Sequence, residues 1–347
     1  MSGRQTRSAR RGEEVQPEAA LLRVRNLQVR FPVGRQTLTA VAGVDLDLAR
    51  GEILGIVGES GSGKSMTLMA LARLVPDGAL EADELRFDGR ELRPMSERQM
   101  REVRGGRIGL IFQNPLSSLN PLLTIGEQIA ESIVFHLGLS RRAARERVVE
   151  LLDRVGIASP RARLDDHPHQ FSGGMRQRVM IAMAIACDPL LILADEPTTA
   201  LDVTIQAQIL DLLQRIVADS GTAIILVTHD LGIAASLCDR VSVMYAGQIV
   251  ETARVEAIFG EPMMPYTWGL MDSIPRPDQP SGSRLPMLPG LPPDPLRLPM
   301  GCRFAERCAH LRAACRAAVP PLTGRGTPGH LARCFGTDAE GWLDVVS

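Results

Sequence analysis

The sequence has few aromatic residues, no excess of either charge and no long hydrophobic run. Aromatic side chains make up only 3% of the 347 residues, so a core has to be built from aliphatic side chains and the 14 methionines. The 39 lysines and arginines balance 40 aspartates and glutamates, which gives no general electrostatic attraction to nucleic acid or an anionic membrane. The longest apolar run, residues 179–187, is about half of the ~18 residues needed to cross a bilayer, so it predicts a buried helix.

The first 20 residues lack the apolar segment of a secretory signal, and Glu13 and Glu14 interrupt their basic run. We therefore expect a solvated tail over residues 1–20. Without an export signal, the six cysteines indicate a reducing compartment, in which structural disulfides are rare.

The hydrophobic patterns predict an α/β fold. Alternating residues 22–31 predict a half-exposed strand that pairs with residues 41–48. The apolar run 52–57 is followed by a glycine-rich turn and a helical pattern, which is strand, loop and helix in order. Residues 175–250 then alternate helix and strand, which predicts a mostly parallel sheet with helices on both faces. Amphipathic residues 124–156 predict a helical insert between strands.

The composition changes after Gly260. Eleven of the 24 prolines lie between residues 262 and 299, which predicts an extended connector over residues 261–300. Residues 301–336 hold four of the six cysteines but too few aliphatic residues to fold by hydrophobic burial alone. We expect ligation of a metal to fold this segment, with a tail over residues 337–347.

Residues 58–65 read Gly-Glu-Ser-Gly-Ser-Gly-Lys-Ser, which fits a phosphate-binding loop between a predicted strand and a predicted helix. Such a loop turns its backbone N–H groups toward phosphates, while Lys64 neutralises the β- and γ-phosphates of a nucleotide and Ser65 offers a hydroxyl to Mg²⁺. The alternative is a glycine-rich turn that caps a helix. The loop residues assigned to nucleotide binding are Gly58, Ser60, Gly61, Ser62, Gly63, Lys64 and Ser65.

A second apolar run, residues 190–194, delivers two carboxylates at its end. We expect Asp195 to join the magnesium shell and Glu196 to polarise an attacking water. The alternative is a helix N-cap or a surface edge.

Ser172, Gly173 and Gly174 precede a helical pattern and form an expected anion site for a γ-phosphate. With this motif before the acidic strand, residues 21–260 resemble the ATP-binding cassette (ABC) family. Phe171 and Met175 depart from the commonest form of its signature. The resemblance implies a P-loop nucleotide-binding domain with a RecA-like core, an antiparallel β subdomain and a helical subdomain over about residues 114–174.

The resemblance also implies roles for four further residues. Gln113 matches the glutamine that reaches magnesium and the attacking water, and His229 matches the switch histidine that contacts the γ-phosphate. Asp202 matches an aspartate that crosses the dimer interface, and Phe31 falls where the family stacks an aromatic ring on adenine. Their ordinary alternatives are a surface amide, a strand-end histidine, a helix cap and a packed core ring.

The family sandwiches ATP between the phosphate loop of one subunit and the signature of another. With one copy of each motif, the resemblance implies a second ABC ATPase subunit, as a homodimer or heterodimer. It further implies two transmembrane permease subunits and, indirectly, an extracytoplasmic substrate-binding protein, with no nucleic-acid partner. The expected location is the cytoplasmic face of the inner membrane.

Four cysteines in the C-terminal segment are candidate metal ligands. They are separated by five, six and eighteen residues, which is looser than the pairs of most structural zinc sites. Many arginines surround them, which favours a negatively charged thiolate centre without selecting the metal. Unligated cysteines are the alternative, and Cys187 and Cys238 are expected in the core. The candidate ligands are Cys302, Cys308, Cys315 and Cys334.

Three further segments resemble the ATPases of dipeptide and oligopeptide importers in particular. They are residues 112–121, residues 195–208 and the Pro265-Tyr266-Thr267 triplet. Some of these ATPases carry an iron–sulfur cluster in a similar extension, which implies one 4Fe-4S cluster here, with Zn²⁺ as the alternative. Rival functions are import of nickel or another small solute and a soluble non-transport ABC ATPase. A P-loop kinase or GTPase, a third class, would have the phosphate loop but not the Ser-Gly-Gly motif found here at residues 172–174.

Overall fold

The computed structural model describes residues 20–199, 201–274, 288–324 and 327–337. The predicted tails are described only at residues 20 and 337, and Ala200 lies outside the described residues. The strands are β1 (Leu22–Val33), β2 (Gln36–Leu48), β3 (Ile53–Val57), β4 (Leu80–Glu81), β5 (Glu84–Phe87), β6 (Arg90–Glu91), β7 (Ile108–Ile111), β8 (Leu191–Asp195), β9 (Ala223–Thr228), β10 (Arg240–Tyr245), β11 (Gln248–Arg254), β12 (Thr323–Gly324) and β13 (Leu331–Ala332).

The helices connect these strands, and among the described residues short 3₁₀ turns lie at Pro168–Gln170, Ala305–Arg307 and Phe335–Thr337. The α-helices are α1 (Lys64–Leu71), α2 (Glu97–Val103), α3 (Pro115–Ser118), α4 (Ile125–Leu137), α5 (Arg141–Arg154), α6 (Pro160–Arg163), α7 (Gly173–Ile185), α8 (Val203–Ser220), α9 (Leu231–Leu237), α10 (Val255–Gly260), α11 (Pro265–Asp272) and α12 (Ala313–Ala317). Within the described residues, no helix has both the length and the apolar character needed to span a bilayer.

Two sheets form the framework. An antiparallel sheet runs in the order β2-β1-β5-β6, with β4 also paired to β1. The larger sheet runs β12-β13-β11-β10-β3-β9-β8-β7, and its stretch from β10 to β7 is parallel. Strands β3, β8 and β9 are buried along their whole length, as expected for central parallel strands covered on both faces.

The side chains of β3 alternate between two hydrophobic cores. Ile53 and Val57 pack with the helices on one face of the large sheet, including α4, α5 and α7. Leu54 and Ile56 pack on the other face with the antiparallel sheet. This alternation follows from the two-residue period of a strand and produces three layers.

The carboxyl ends of β3, β9 and β8 lie side by side at one edge of the large sheet. The phosphate loop follows β3, His229 follows β9, and Glu196 follows β8. Sheet topology therefore brings together residues that are far apart in the sequence, at the edge where open α/β sheets bind ligands.

The predicted connector is not extended throughout. Residues 265–272 form α11, so the expectation for residues 261–300 is wrong over this stretch. Pro265 occupies the first turn of α11, where its missing N–H group leaves no intrahelical hydrogen bond unmade.

The C-terminal segment does not rely on a metal alone for its fold, contrary to the sequence-based expectation. Strand β13 pairs with β11 at residues 251 and 252, and so extends the large sheet. Phe304 packs against the rings of Tyr245 and Tyr266, at centroid distances of 5.4 Å each. Docking against β11, Tyr245 and Tyr266 therefore supplies buried contacts that the composition of residues 301–336 did not reveal.

Candidate functional site

The phosphate loop lies between β3 and α1, as the sequence predicts. Gly58 has φ +155°, and a Cβ atom there would come within 2.1 Å of the Met244 carbonyl oxygen. Gly63 has φ +104°, and its Cβ would lie 2.5 Å from the carbonyl oxygen of Ala40. Both positions therefore require glycine, because an added side chain would meet backbone atoms in a conformation that L-residues rarely adopt.

Two polar side chains in the loop are buried. Lys64 is 5% exposed, and its Nζ donates to the carbonyl oxygens of Gly58 and Glu59 at 2.8 and 2.9 Å. Burial lowers the pKa of Lys64, although nearby carboxylates oppose the shift. Ser62 Oγ is buried without a hydrogen-bond partner, which fits a loop that holds an anion rich in acceptor oxygens.

Ser65 and Asp195 meet at the start of α1. Ser65 Oγ donates to Asp195 Oδ1 at 2.9 Å, and Asp195 is 7% exposed. Burial raises the pKa of Asp195, and the charge of Glu196 adds to the rise while Ser65 and Lys64 oppose it. A hydroxyl beside a buried carboxylate is a donor set suited to Mg²⁺, which prefers oxygen ligands and takes others from phosphates and water.

Glu196 is the centre of a hydrogen-bonded group. Gln113 Nε2 donates to Glu196 Oε2 at 2.9 Å, and His229 Nδ1 lies 3.1 Å from Glu196 Oε1. The structure therefore brings together the three residues assigned to catalysis, which belong to segments after β7, β8 and β9.

Thr199 is a further member that the sequence analysis missed. Its Oγ1 donates to Glu196 Oε2 at 2.8 Å. Burial acts to raise the pKa of Glu196, but the hydrogen bonds from Thr199 and His229 outweigh it, and the pKa is lowered. Only the spacing of three residues after a strand-end carboxylate could have indicated Thr199. Glu196 also has φ +44°, a strained backbone conformation for a side chain other than glycine.

A cavity of about 370 Å³ lies against the phosphate loop, Gln113 and Glu196, whereas Asp195, Thr199 and His229 are not among the residues that line it. Ser65, Gln113 and Glu196 line one part of it, and Leu38 lies on its wall. Phe31 pairs with Leu38 across β1 and β2 but packs against the core between the sheets, and it is not among the lining residues. The structure therefore does not bring Phe31 into this cavity.

The signature Ser172-Gly173-Gly174 lies elsewhere on the surface. Ser172 is exposed and caps α7, with its side chain accepting a hydrogen bond from the Met175 N–H. None of the three signature residues lines the cavity. Gly174 packs close to α8, because a Cβ there would lie 2.7 Å from Ile205 Cγ2.

Asp202 caps α8 through a hydrogen bond from the N–H of Ile205 at 3.0 Å. Asp202 therefore acts as a helix cap, which was the alternative to a role at the dimer interface. The same residue is exposed next to the signature helix, where a partner subunit can reach it.

The candidate metal ligands occupy one region of the C-terminal segment. All six cysteines lie in the described part of the chain, and none forms a disulfide. Burial, with smaller contributions from the nearby Cys302, Cys308 and Cys315, raises the pKa of Cys334 to about 11. Nevertheless, no three His, Cys, Asp or Glu side chains among the described residues are arranged to hold a single metal ion. Cys187 and Cys238 are buried in the core, as expected.

Residues 41–199 match the family described as ABC transporter, and residues 250–315 match the C-terminal region of oligopeptide/dipeptide transporters. The chain is 51% identical over 319 residues to a probable peptide ABC transporter ATP-binding protein of Sinorhizobium fredii, covering 91% of this chain and 94% of that protein. It is 47% identical over 320 residues to the oligopeptide transport ATP-binding protein OppD of Salmonella typhimurium, covering 92% and 95% respectively.

Solved structures share the fold. A dimeric, post-hydrolysis structure of the ATP-binding cassette MJ0796 bound to ADP and Pi gives a TM-score of 0.62 at 30% identity. The match covers 67% of this chain and 98% of the MJ0796 chain. A second structure, CbiO1 of Clostridium perfringens, gives 0.59 at 27% identity over 70% of this chain and 92% of that chain.

Proposed function

Because the chain belongs to the ATPase subunits of the ABC transporters, in the branch of dipeptide and oligopeptide importers, we propose that it powers peptide uptake in bacteria by hydrolysing ATP. The observation that carries the proposal is the group formed by Glu196, Gln113 and His229 beside a phosphate loop, all at one edge of the sheet. The match of residues 250–315 to the peptide-transporter C-terminal region favours peptides over nickel or another small solute.

The chemistry follows from the positions of these side chains. The loop N–H groups and Lys64 bind the triphosphate, and Ser65 and Asp195 hold Mg²⁺. Bound magnesium supplies positive charge that offsets the charge of the phosphate oxygens. Glu196 accepts a proton from water as the water oxygen bonds to the γ-phosphorus and the bond to ADP breaks, which yields ADP and phosphate.

Two other side chains orient Glu196 and the water. Gln113 donates to one carboxylate oxygen of Glu196, and His229 contacts the other. The His229 side chain is largely exposed beside Glu196, and in this proposal it also contacts the γ-phosphate. Glu196 has a lowered pKa, so its carboxylate is ionised at neutral pH and can accept a hydrogen bond from the attacking water.

The ATP site of the working transporter is shared between two subunits in this proposal. The signature residues 172–174, of which Ser172 and Gly173 are exposed, lie outside the cavity that contains the phosphate loop, so they can contact ATP held by a partner. Asp202 lies beside them and would cross the same interface. The partner is a second ABC ATPase, either another copy of this chain or a related subunit.

Closure of the two ATPase subunits on ATP would move the helical subdomain, residues 114–174, against two membrane permease subunits. The subunit would bind peripherally at the cytoplasmic face of the inner membrane, and an extracytoplasmic binding protein would deliver the peptide. We assign residues 21–260 to the ATP-binding domain, 261–300 to a connector and 301–336 to the cysteine segment.

Reconstitution tests this function. We expect the chain to co-purify with hydrophobic permease subunits encoded beside it, and peptide-loaded binding protein to stimulate ATP hydrolysis in vesicles. Stimulation by a nickel-loaded binding protein, with none by peptide, would assign the subunit to another substrate. Turnover without any permease bound would favour a non-transport ATPase.

We further propose that Cys302, Cys308, Cys315 and Cys334 ligate one 4Fe-4S cluster. The four cysteines lie close enough to one another to interact electrostatically, which supports a shared centre, and a 4Fe-4S cluster takes four cysteine ligands. The guanidinium groups of Arg303 and Arg333 lie in the same region, and Arg303 Nε is buried without a hydrogen-bond partner. The positive charge of these two arginines would offset the negative charge of the cluster and its thiolate ligands.

Anaerobic purification tests the cluster. The protein should be brown and contain iron and sulfide, and each cysteine-to-serine change should remove the colour. Stoichiometric zinc in colourless protein would replace the cluster by Zn²⁺, and metal-free protein with the same folded C-terminal segment would refute ligation.

A further inference from the structure

The proline-rich connector reaches the nucleotide cavity. Pro292, Pro293, Pro295 and Leu298 are among the residues that line it. The connector is also attached to β2, whose Thr39 lines the same cavity, because the N–H of Thr39 donates to the Pro295 carbonyl oxygen at 3.3 Å. A segment more than 200 residues beyond the phosphate loop therefore faces the same space as that loop.

A buried arginine fixes the connector to the phosphate loop. Arg307 Nη1 and Nη2 donate to the two carboxylate oxygens of Glu59 at 2.7 and 2.9 Å. Its Nε donates to the carbonyl oxygen of Pro289, three residues before the part of the connector that lines the cavity. The Arg307 side chain is 4% exposed and lies over the rings of Tyr245 and Phe304.

This arrangement is more specific than a surface ion pair. A two-pronged arginine–carboxylate contact fixes orientation as well as distance, and burial removes the competition of water. Glu59 is itself part of the loop, and its N–H donates to the Tyr266 hydroxyl at 2.9 Å. The loop and the connector are thus held to each other by one side chain.

The chemistry of the cavity sets which part of ATP faces the connector. Lys64, Ser65, Gln113 and Glu196 mark the phosphate end. The connector residues present proline rings and a leucine, which suit the flat face of a base and the apolar side of a ribose and not a charged phosphate. Leu38 of β2 lines the cavity with them.

We propose that residues 292–298 form a wall of the ATP site that contacts the nucleoside, and that Arg307 is a positioning residue for this wall. The proposal rests on the assignment of the cavity to ATP made above. ATP affinity in this subunit then depends on its own C-terminal extension, which shorter ATPase cassettes do not need.

Paired asparagine substitutions test the wall. Leu298 lines the cavity, whereas Leu291 lies on the same connector, 86% exposed and outside the lining. In the full-length chain, Leu298→Asn should weaken MgATP and MgADP by a similar factor of about tenfold, whereas Leu291→Asn should change neither. Calorimetry measures both affinities.

Each other result decides against the wall. Equal ATP affinity in both variants and the wild type would show that the connector does not contact the nucleoside. Tighter binding by Leu298→Asn would show that the segment obstructs the site. Loss of ATP but not ADP affinity would place the effect at the phosphates. Wild-type protein that binds no ATP would instead refute the function proposed above.

Steady-state kinetics of the assembled transporter test Arg307. Arg307→Gln should raise the KM for ATP about tenfold or more with a smaller effect on kcat, because the wall would be displaced while the catalytic group remains. Arg307→Lys keeps the charge without the fork and should recover part of the affinity. A fall in kcat at unchanged KM, reflecting fewer folded molecules, would reduce Arg307 to a structural role.

Discussion

Glu196 illustrates how much of the site depends on single atoms. Both of its carboxylate oxygens have protein partners, from Gln113 and Thr199 on one side and His229 on the other. Removing a partner should change either the geometry or the ionisation of Glu196, and these two effects can be separated experimentally.

We expect Glu196→Gln to retain ATP binding and lose turnover by ~100-fold or more, because an amide cannot accept the proton of the attacking water. The loop, Ser65 and Asp195 remain intact in this variant. ATP affinity and steady-state hydrolysis in the assembled transporter measure the two effects. Glu102→Gln, on an exposed face of α2, is the matched control, and near wild-type hydrolysis by Glu196→Gln would refute its role as the base.

Thr199→Val should move the acid limb of the pH–rate profile to higher pH. The hydroxyl stabilises the ionised carboxylate and lowers the pKa of Glu196, so its loss raises that pKa. The base form, which is present above its pKa and lost as pH falls through it, then disappears sooner on acidification. Thr199→Ser keeps the hydroxyl and should restore the profile; an unshifted limb in Thr199→Val would show that Thr199 does not tune Glu196.

At the scale of elements, local patterns in the sequence were sufficient for much of the fold. The two-residue alternation before Phe31 predicts β1, and the glycines at 58 and 63 predict the loop that their positive φ angles require. A proline-rich composition argues against a helix and so does not predict α11, although Pro265 fits the first turn of that helix.

Helix α7 begins at the signature, and its first turn carries a testable consequence. Ser172→Arg should leave ATP binding by this chain's own loop intact but impair ATP-dependent dimer closure, since the cation would fill the space for the partner's γ-phosphate. ATP affinity and dimer formation in a Glu196→Gln background are the measurements. Ser140→Arg makes the same change at the cap of α5; loss of ATP affinity with normal closure would contradict the split site.

At the scale of the whole molecule, the docking of the C-terminal segment could not be predicted. Arg307 and Glu59 are 248 residues apart in the sequence, and no local sequence pattern around either residue predicts that they form a pair. The composition of residues 301–336 favours a segment that needs a metal in order to fold. Composition includes only the apolar residues within the segment and not those elsewhere in the chain that pack against it. The ATP-binding domain supplies the missing partners through Tyr245 and β11, and α11 of the connector adds Tyr266.

The buried Glu251 joins this segment to the core. It accepts hydrogen bonds from the N–H groups of Met263 and Met264 and from Thr267, and its Oε1 lies 2.7 Å from His330 Nε2. Glu251→Gln places an N–H₂ group among these donors and should cost about 1–3 kcal/mol of unfolding free energy.

Urea titration and hydrogen exchange of residues 327–337 measure the loss and its location. Glu256→Gln is the control, because Glu256 forms an exposed pair with Arg254 at 3.7 Å and should change stability by less than ~1 kcal/mol. Equal stability of the two variants would show that the Glu251 contacts do not hold the segment.

The pairing of β13 with β11 also protects the edge of the large sheet from association with other chains. Strand β11 is buried along residues 249–253, and without β13 its outer row of N–H and C=O groups would be open at the margin of the large sheet. An open margin of this kind is a template on which strands of other chains can add, and proteins commonly cover it. The C-terminal segment is thus a protective cover, and a chain truncated before residue 300 would be prone to self-association.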